Sequence, residues 1–293
     1  MTTGGNGFLG QHLIRLIKDA FSVSVVDVTK DAQQGTSFAV CDITNFHETS
    51  KLFNSLRPDA VVHLAAITGV ERCQLRPLES FLVNVLGTFN VAYMSALHGS
   101  RLVFPSSREV YGETLQTMTN EEAEMRPNNL YGLTKMLGES IIKWLHLSMG
   151  LRYVVLRLTN LYGPGGDQYA VSAITKRAIE GTDIHVFGGT QVLNLIHVQD
   201  AARAIEICLN KSDEENGTYN IGSNDTIKVS ELINRIVSLC NSKSKIVQSP
   251  MRAGDTNFFH PDLSRARSKL GFEPKIILEQ GLVDCIEYYR SRG

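Results

Sequence analysis

The stretch TGGNGFLG, from Thr3 to Gly10, decides the fold class of this 293-residue chain. Its glycines, Gly4, Gly7 and Gly10, open a pattern over Phe8–Lys18 that places apolar residues on one face of a helix. A helix that begins at such a turn offers free backbone N–H groups and the positive end of its dipole to an anion. The stretch therefore predicts a turn that binds the pyrophosphate of a dinucleotide.

An acidic residue follows the next strand pattern. Val23–Val28 is short and β-branched, which predicts a buried strand, and Asp27 lies near its end, where a dinucleotide fold places a carboxylate on the adenosine ribose. A carboxylate there would repel a ribose 2′-phosphate, so the sequence favours NAD over NADP. Asp42 and Ile43 follow another short strand, and Asp42 is predicted either to contact the adenine or to cap a helix.

Strand and helix patterns alternate along the first half of the chain. Further buried strands are predicted at Ala60–Ala65, Leu102–Phe104 and Tyr153–Leu158, and helices at Phe81–Leu97 and Thr134–Leu147. This order predicts an α/β fold with a doubly wound parallel sheet, the Rossmann arrangement, in which helices cross between the strands.

A second domain is expected after Gly163-Pro164-Gly165-Gly166, because this sequence continues neither a strand nor a helix and marks a hinge. We expect residues 1–164 to form an NAD-binding domain and residues 165–293 a smaller substrate domain, with part of 191–222 packing back on the first. The helices expected beyond the hinge are Asp200–Leu209, Val229–Cys240 and Leu278–Tyr289.

The composition excludes several classes of protein. With 43% hydrophobic and 20% charged residues, the chain can bury a substantial core. The formal net charge of -1 argues against a nucleic-acid-binding protein. Five cysteines without a CxxC pair indicate neither a disulfide framework nor a metal site, and they fit a cytoplasmic location. Charged and polar residues such as His63, Arg152 and Arg157 interrupt the apolar runs, so we expect no membrane span.

Tyr131 and Lys135 form a candidate catalytic pair, since residues four apart share one face of a helix. A tyrosine acts as a base near neutral pH only if its pKa falls from about 10 to about 7, which needs roughly 4 kcal/mol of differential stabilisation. A neighbouring ammonium and a nicotinamide cation would supply it. Ser107, at the end of an apolar strand, is placed to hydrogen-bond the same substrate oxygen.

The sequence resembles the extended short-chain dehydrogenases/reductases, within the NAD-dependent epimerase/dehydratase family that acts on nucleotide sugars. The resemblance covers nearly the whole chain and is closest to enzymes of the UDP-glucose 4-epimerase type. The matching motifs are TGGNGFLG at Thr3–Gly10, HLAA at His63–Ala66, NVLGT at Asn84–Thr88, SSREVYG at Ser106–Gly112, Tyr131 with Lys135, RLTNLYGPGG at Arg157–Gly166, RAGD at Arg252–Asp255 and LGFEP at Leu270–Pro274.

This resemblance implies roles for individual residues. Those expected along the NAD cofactor are Gly4, Gly7, Phe8, Leu9, Gly10, Asp27, Asp42, Ile43, Leu64, Ala65, Ala66, Asn84, Tyr131 and Lys135. The catalytic set is expected to be Ser107, Tyr131 and Lys135, with Glu109 beside them. The nucleotide-diphosphate sugar is expected to contact Ser107, Asn160 and Arg252. His63 and His197 are expected to be structural.

Two departures from the family pattern bear on the reaction. Leu193 occupies a position where many relatives carry an arginine directed at the diphosphate. Glu109 matches a glutamate of dehydratases and decarboxylases, but Arg108 replaces the acidic or small residue before it. Because an elimination of water needs both an acid and a base, we expect epimerisation at sugar C4 through a transient 4-keto sugar. The alternatives are a 4,6-dehydratase or a decarboxylase like that of UDP-glucuronate, and a non-catalytic dinucleotide-binding protein.

Two further expectations concern assembly and the start of the chain. The resemblance favours a homodimer formed through a pair of helices that includes the catalytic helix. Only Met1 and Thr2 precede the glycine stretch, where relatives carry a run of apolar residues. We therefore expect the central strand to be nearly absent from this chain, and in-frame upstream sequence to encode the missing residues.

Overall fold

The computed structural model describes residues 1–29, 35–114, 117–211, 216–251 and 254–292. The strands are β1 Thr2–Thr3, β2 Ser24–Asp27, β3 Ser37–Val40, β4 Ala60–His63, β5 Arg101–Ser107, β6 Tyr153–Leu158, β7 Asn160–Tyr162, β8 Ile184–Phe187, β9 Val192–His197, β10 Gly217–Ile221, β11 Thr226–Lys228 and β12 Ile246–Ser249. The helices are α1 Phe8–Ile17, α2 Phe46–Leu56, α3 Val70–Leu75, α4 Pro77–Phe81, α5 Thr88–His98, α6 Leu130–Met149, α7 Ala170–Glu180, α8 Val198–Asn210, α9 Val229–Cys240 and α10 Leu278–Arg290.

Seven strands form one parallel sheet in the order β10-β6-β5-β4-β1-β2-β3. The chain winds outward in both directions from β1, so the order reverses between β1 and β4, and ligands bind beyond the carboxyl ends of the strands at such a point. This is the doubly wound sheet that the sequence predicts. A ligand site is therefore expected at the turns after β1, β2, β4, β5 and β6.

The central strand β1 has two residues but pairs on both sides. Thr2 and Thr3 lie opposite Val25 and Val26 of β2, and opposite Val62 and His63 of β4. Backbone hydrogen bonds continue this ladder beyond the strand, since the amide of residue 62 donates to the carbonyl of residue 1 and that of residue 4 donates to residue 26. The short strand therefore still places the glycine turn at the centre of the sheet.

Helices cover both faces of this sheet. One core packs α1 and α8 against the strands through buried side chains such as Leu13 and Ile205. The other packs α2, α5 and α6 against the opposite face through Phe53, Val91 and Ile142. Both faces of each central strand are thus buried, which is why the strand sequences read as continuous apolar runs.

The segment beyond the hinge contributes to two regions. Strand β10 extends the seven-stranded sheet beside β6, so residues within 191–222 pack on the first part of the chain. A separate layer contains the three-stranded sheet β11-β9-β7, the pair β12-β8 and the helices α7, α9 and α10 around their own buried core. The main cleft runs between these two regions.

The helical run Pro77–His98 differs from its sequence prediction. A π-helical turn, Leu82–Gly87, joins α4 to α5 and makes a continuous stretch of 22 residues that is long and apolar enough to cross a membrane by length and composition. The sequence analysis predicted no membrane span. By this test of length and composition, that prediction was wrong. Half of its most apolar window is buried inside the protein, as expected for a helix of a globular core.

Candidate active site

The turn after β1 forms a tight cradle at the start of α1. Gly4 has φ +66°, and a Cβ atom there would lie 2.5 Å from the backbone nitrogen of Ala65. A Cβ on Gly10 would lie 2.5 Å from the carbonyl oxygen of Gly5. Within the described part of the chain, no side chain caps the N-terminus of α1 at Gly7. The cradle thus leaves backbone N–H groups open to an anion, which fits the pyrophosphate of NAD.

Asp27 faces this cradle from the end of β2. Its Oδ2 accepts a hydrogen bond from the backbone amide of Asn6 at 3.0 Å, and its Oδ1 accepts one from the amide of Val28 at 2.8 Å. These bonds fix the carboxylate at the mouth of the cleft beside the glycine turn. Its position fits the adenosine ribose of the same dinucleotide.

Cofactor choice tests this placement of Asp27. We expect the protein to bind NAD at least about tenfold more tightly than NADP, since a repulsion of about 1.4 kcal/mol is enough for that ratio. Asp27→Ser should bring the affinities for NAD and NADP, measured by calorimetry, closer together. Asp19→Ser removes an exposed carboxylate at the end of α1 and should leave the ratio unchanged. Equal or tighter binding of NADP by the unmodified protein would contradict the assignment.

Asp42 and Ile43 line the same cleft after β3. Asp42 accepts hydrogen bonds from the amide and hydroxyl of Thr44 at 2.9 and 2.8 Å. The N-cap of α2 is Asn45, whose side chain accepts from the amides of residues 47 and 48. The alternative that Asp42 caps this helix is therefore wrong, and its carboxylate lies exposed at the adenine end of the cleft.

Asn84 occupies a different place from the one implied by the resemblance. Among the described residues that line the cleft, Leu64, Ala65 and Ala66 are present and Asn84 is absent. Its side chain accepts from the amide of Ile67 at 2.8 Å and donates to the carbonyl of the same residue at 2.9 Å. Asn84 is 1% exposed and holds the loop that follows β4, so it supports the cleft from behind.

Ser107 and Tyr131 meet on one wall of the cleft. The side chain of Ser107 lies close enough to that of Tyr131 to influence its ionisation. Ser107 ends β5, and Tyr131 lies in the first turn of α6, whose N-cap is Asn129. Burial raises the pKa of the Tyr131 hydroxyl, and the side chain of Ser107 acts in the opposite direction. The hydroxyl therefore needs nearby positive charge before it can act as a base.

Lys135 brings such a charge to the same wall, one helical turn beyond Tyr131. Its Nζ donates to the carbonyl of Pro105 at 2.9 Å and lies 4.6 Å from the centre of the Phe104 ring. Burial lowers the pKa of Lys135 to about 8, while the charge of Glu139 raises it. The ammonium is thus mostly protonated at neutral pH and buried where it strengthens electrostatic interactions.

Glu109 lies in the cleft with both carboxylate oxygens engaged. Its Oε1 forms an ion pair with Nη2 of Arg108 at 2.7 Å, and its Oε2 accepts a hydrogen bond from Nδ2 of Asn129 at 2.8 Å. The guanidinium of Arg108 also donates to the hydroxyl of Thr256. The ion pair that Arg108 forms holds Glu109 in place, so this carboxylate is poorly suited to donate a proton.

The remaining predicted substrate residues have different outcomes. Asn160 lines the cleft and donates to the carbonyl of Asn194 at 3.1 Å. Leu193 also lines the cleft and packs against the second apolar core. Arg252 lies outside the described residues. The described walls enclose a cleft of about 1600 Å³ that extends from the glycine turn to β8 and α9.

His63 and His197 are buried structural residues. The ring of His63 is hydrogen-bonded to the hydroxyls of Thr3 and Thr88, and burial lowers its pKa to about 3. His197 caps α8 by accepting from the amide of Gln199, and burial lowers its pKa to about 4. Neither imidazole is charged at neutral pH, so neither competes with Tyr131 as a proton carrier.

The sequence analysis did not identify three residues of the site. Asn6 orients Asp27 through its backbone amide, and this contact left no signal in the sequence. Tyr169 follows the hinge, lines the cleft and packs against Phe8 with 5.1 Å between ring centres. Thr256 lines the cleft directly after the RAGD motif, a position that offered a signal.

The fold and the cleft together define a dinucleotide-binding α/β enzyme with a serine, tyrosine and lysine on one wall. The family model described as the NAD dependent epimerase/dehydratase family matches residues 1–222, and the chain belongs to that family. The predicted family, enzyme class and NAD cofactor are thereby confirmed.

Similar proteins include enzymes of two reaction types. A putative UDP-glucose 4-epimerase of Methanocaldococcus jannaschii is 28% identical, over 100% of this chain and 99% of that protein. A dTDP-glucose 4,6-dehydratase of Streptomyces niveus is 29% identical, over 99% of this chain and 92% of its own length. The crystal structure of a UDP-glucose 4-epimerase of Thermotoga maritima with UDP-glucose is 30% identical, covers 99% of this chain and 98% of its own, and has a TM-score of 0.94.

Proposed function

We propose that this protein is an NAD-dependent epimerase that inverts C4 of a nucleotide-diphosphate sugar. The observation that carries the proposal is the pairing on one wall of the cleft. Ser107 and Tyr131 both line the cleft and their side chains interact, whereas Glu109 is held by Arg108 and Asn129. An epimerase needs one base that also returns the proton, while an elimination of water needs a free acid in addition.

Each residue of this wall has a distinct part in the proposed reaction. Tyr131 accepts the proton of the C4 hydroxyl and later returns it, and Ser107 holds the same sugar oxygen by a hydrogen bond. Lys135 stabilises the tyrosinate by its positive charge. NAD would supply reversible transfer of the C4 hydride, so the overall reaction would be redox-neutral. Inversion follows when the keto sugar turns over in the cleft before the hydride returns.

The proposed cofactor contacts follow the walls of the cleft. Gly4, Gly7, Phe8, Leu9 and Gly10 would hold the pyrophosphate at the start of α1. Asp27 would hold the adenosine ribose, and Asp42 with Ile43 would hold the adenine. Leu64, Ala65 and Ala66 would lie along the nicotinamide half, together with Tyr131 and Lys135. We assign Asn84 a supporting place behind this loop.

The substrate is proposed to be a UDP-sugar, because two epimerases that this chain resembles in sequence and structure carry UDP-glucose in their names. Asn160 and Arg252 would contact the nucleotide-diphosphate half, in the part of the cleft bounded by residues 165–293. We propose residues 1–164 as the NAD domain and a cytoplasmic location. A lyase remains the second candidate, since Glu109 lines the cleft and a relative is a dehydratase.

Proton NMR of the purified protein with UDP-glucose tests this proposal. The expected result is a second anomeric signal from the C4 epimer, growing to an equilibrium mixture and absent with heat-inactivated protein. A reaction that starts from UDP-galactose should reach the same equilibrium mixture. Signals of a 4-keto-6-deoxy or decarboxylated sugar would favour the lyase. Absence of any product from UDP-, dTDP- and GDP-sugars would favour the non-catalytic alternative.

A homodimer is part of the proposal, and an apolar surface supports it. The run Pro77–His98 exposes Leu78, Leu82 and Leu86, spaced by four residues, and α6 exposes Leu133 and Trp144. The two stretches pack side by side, and residues four apart lie on one side of a helix, so we propose that these side chains form one surface. Monomeric proteins rarely expose apolar patches of this kind, and a second copy of the same face would cover it.

Breaking this surface should give monomers. In light scattering coupled to gel filtration, we expect the wild type at twice the chain mass and Leu82→Glu with Trp144→Glu at the chain mass, because the two carboxylates would have to be buried unpaired. Leu16→Glu changes a similarly exposed leucine on α1 and should keep the dimer mass. A wild type that runs as a monomer would rule the dimer out.

A further inference from the structure

Three buried polar side chains connect the cleft to the catalytic helix. Arg108, Glu109 and Asn129 are 6%, 7% and 7% exposed, and each contacts the next. At one end, the guanidinium of Arg108 donates to the hydroxyl of Thr256, which is itself buried. The result is an unbroken chain of buried polar contacts from the wall of the cleft to α6, which we call the Arg108 bridge.

The first end of the Arg108 bridge belongs to the wall of the cleft formed by residues 254–256. Asp255 and Thr256 line the cleft, and the carbonyl of Gly254 accepts from Nδ2 of Asn129 at 3.2 Å. This segment would therefore move if a ligand reshaped that wall. Both Thr256 and Gly254 are tied to the bridge, so such a movement would reach Arg108 and Asn129 together.

The second end is the N-terminus of α6. Asn129 caps this helix, since its Oδ1 accepts from the amide of Gly132 at 2.8 Å. The helix also lies very close to Glu109, because a Cβ on Gly132 would come within 2.3 Å of the Glu109 carbonyl oxygen. Tyr131 lies two residues after the cap. Its hydroxyl is therefore carried by a turn whose position depends on the Asn129 side chain.

An arginine suits the middle of this bridge. Its planar guanidinium can donate to Thr256 from one nitrogen and to Glu109 from another, whereas an ammonium offers a single point charge. Losing one partner of a buried polar network is costly, and Nε of Arg108 already has no hydrogen-bond partner among the described residues. The contacts of the bridge are thus expected to form and break together.

We propose that Arg108 is a positioning residue that couples the cleft wall at residues 254–256 to the first turn of α6, and so sets the place of Tyr131. This inference rests on the proposed epimerase function, in which Tyr131 moves the proton. It assigns Glu109 to the same coupling and removes it from proton transfer. Arg108 acts through Glu109 and Asn129, and its proposed effect on the reaction passes through the position of Tyr131.

Kinetics of four variants test the Arg108 bridge. Arg108→Met with Glu109→Gln removes both buried charges at once and is expected to lower kcat roughly 10²-fold, as misplacement of a reacting group can. NAD affinity and the KM for the UDP-sugar should change less than threefold. Thr256→Val should lower kcat in the same way, and adding it to the first change should cost nothing further. Arg108→Lys should have a kcat between that of the wild type and that of the Arg108→Met, Glu109→Gln protein.

A variant of the helix cap shows whether a loss of kcat comes from misplacement of Tyr131 or from a less stable fold. Asn129→Ser keeps an oxygen for the amide of Gly132 and removes the donor to Glu109, so we expect kcat to fall with little change in Tm. Arg235→Met removes a guanidinium from an exposed ion pair and should leave both unchanged. An unchanged kcat in the Arg108→Met, Glu109→Gln protein would overturn the proposal. A rise in KM with unchanged kcat would also overturn it, since that result means direct substrate contact.

Hydrogen exchange gives a readout that does not depend on turnover. In the NAD-bound protein, amides of residues 130–134 should exchange at least tenfold faster in Thr256→Val than in the wild type, because loss of the distant hydroxyl loosens the cap. If the protein turns over no sugar but shows this change, the epimerase proposal fails and the coupling stands. If it epimerises sugars and exchange in this turn is unaffected, the coupling is wrong.

Discussion

Replacing Tyr131 by phenylalanine should reduce turnover by at least ~10²-fold, the usual loss when a general base is removed. The substitution deletes the hydroxyl whose ionisation Ser107 influences and keeps the ring in place. NAD affinity should stay within a few-fold of the wild type, because the glycine turn and Asp27 are untouched. Steady-state kinetics with the identified sugar and calorimetry with NAD measure the two effects.

A second tyrosine provides the matched control for this change. Tyr93 lies on α5, stacked on Phe89 with 5.6 Å between ring centres, away from the described lining of the cleft. Tyr93→Phe should therefore leave kcat unchanged. Normal turnover by Tyr131→Phe on the same sugar would mean that another group moves the proton, and the mechanism proposed for this wall would be abandoned.

Replacing Gly4 by alanine should weaken both NAD binding and the fold. A side chain at φ +66° is strained, and its Cβ would lie 2.5 Å from the backbone of Ala65 in the next loop. The two loops must separate, which opens the cradle at the start of α1. We expect the free energy of unfolding to fall by roughly 1–3 kcal/mol and NAD affinity to fall at least about tenfold.

Gly99 is the matched control, because it has the same backbone strain without the steric overlap. Its φ is also +66°, at the end of α5, and a Cβ there meets no described atom within 4 Å. Gly99→Ala should lower Tm by a few degrees and leave NAD affinity unchanged. Thermal unfolding and NAD calorimetry on both variants make the comparison. If Gly4→Ala binds NAD as tightly as Gly99→Ala, the glycine turn is not the pyrophosphate site.

Local sequence signals predicted the elements that form the centre of the fold. The strand Tyr153–Leu158 and the helix Val229–Cys240 have the predicted bounds, because apolar periodicity there agrees with burial. The helix that carries Tyr131 begins earlier than predicted, at Leu130, because Asn129 caps it. Strand β3 was predicted only as a short strand before Asp42, and helix α2 only as the helix that Asp42 would cap in one alternative. Neither was given bounds, since their residues are largely exposed and carry little apolar periodicity.

Contacts between distant segments account for what the sequence could not predict. The motif around Ser107 identified Arg108 as unusual, but only the fold brings Thr256 and Asn129 to its neighbourhood. The motif around Asn84 suggested a cofactor contact, and the fold turns its side chain to Ile67 instead. The contact between Arg108 and Thr256 spans 148 residues, and even the shorter spans from Glu109 to Asn129 and from Ile67 to Asn84 depend on tertiary packing, which local patterns do not encode.

Mass spectrometry and NMR of the product from UDP-glucose labelled with deuterium at C4 test the central claim most directly. The account predicts a product of unchanged mass that keeps the deuterium at an inverted C4, because the hydride leaves and returns to the same carbon within one cleft. A product that has lost water or carbon dioxide, or one that has exchanged the label with solvent, would contradict it.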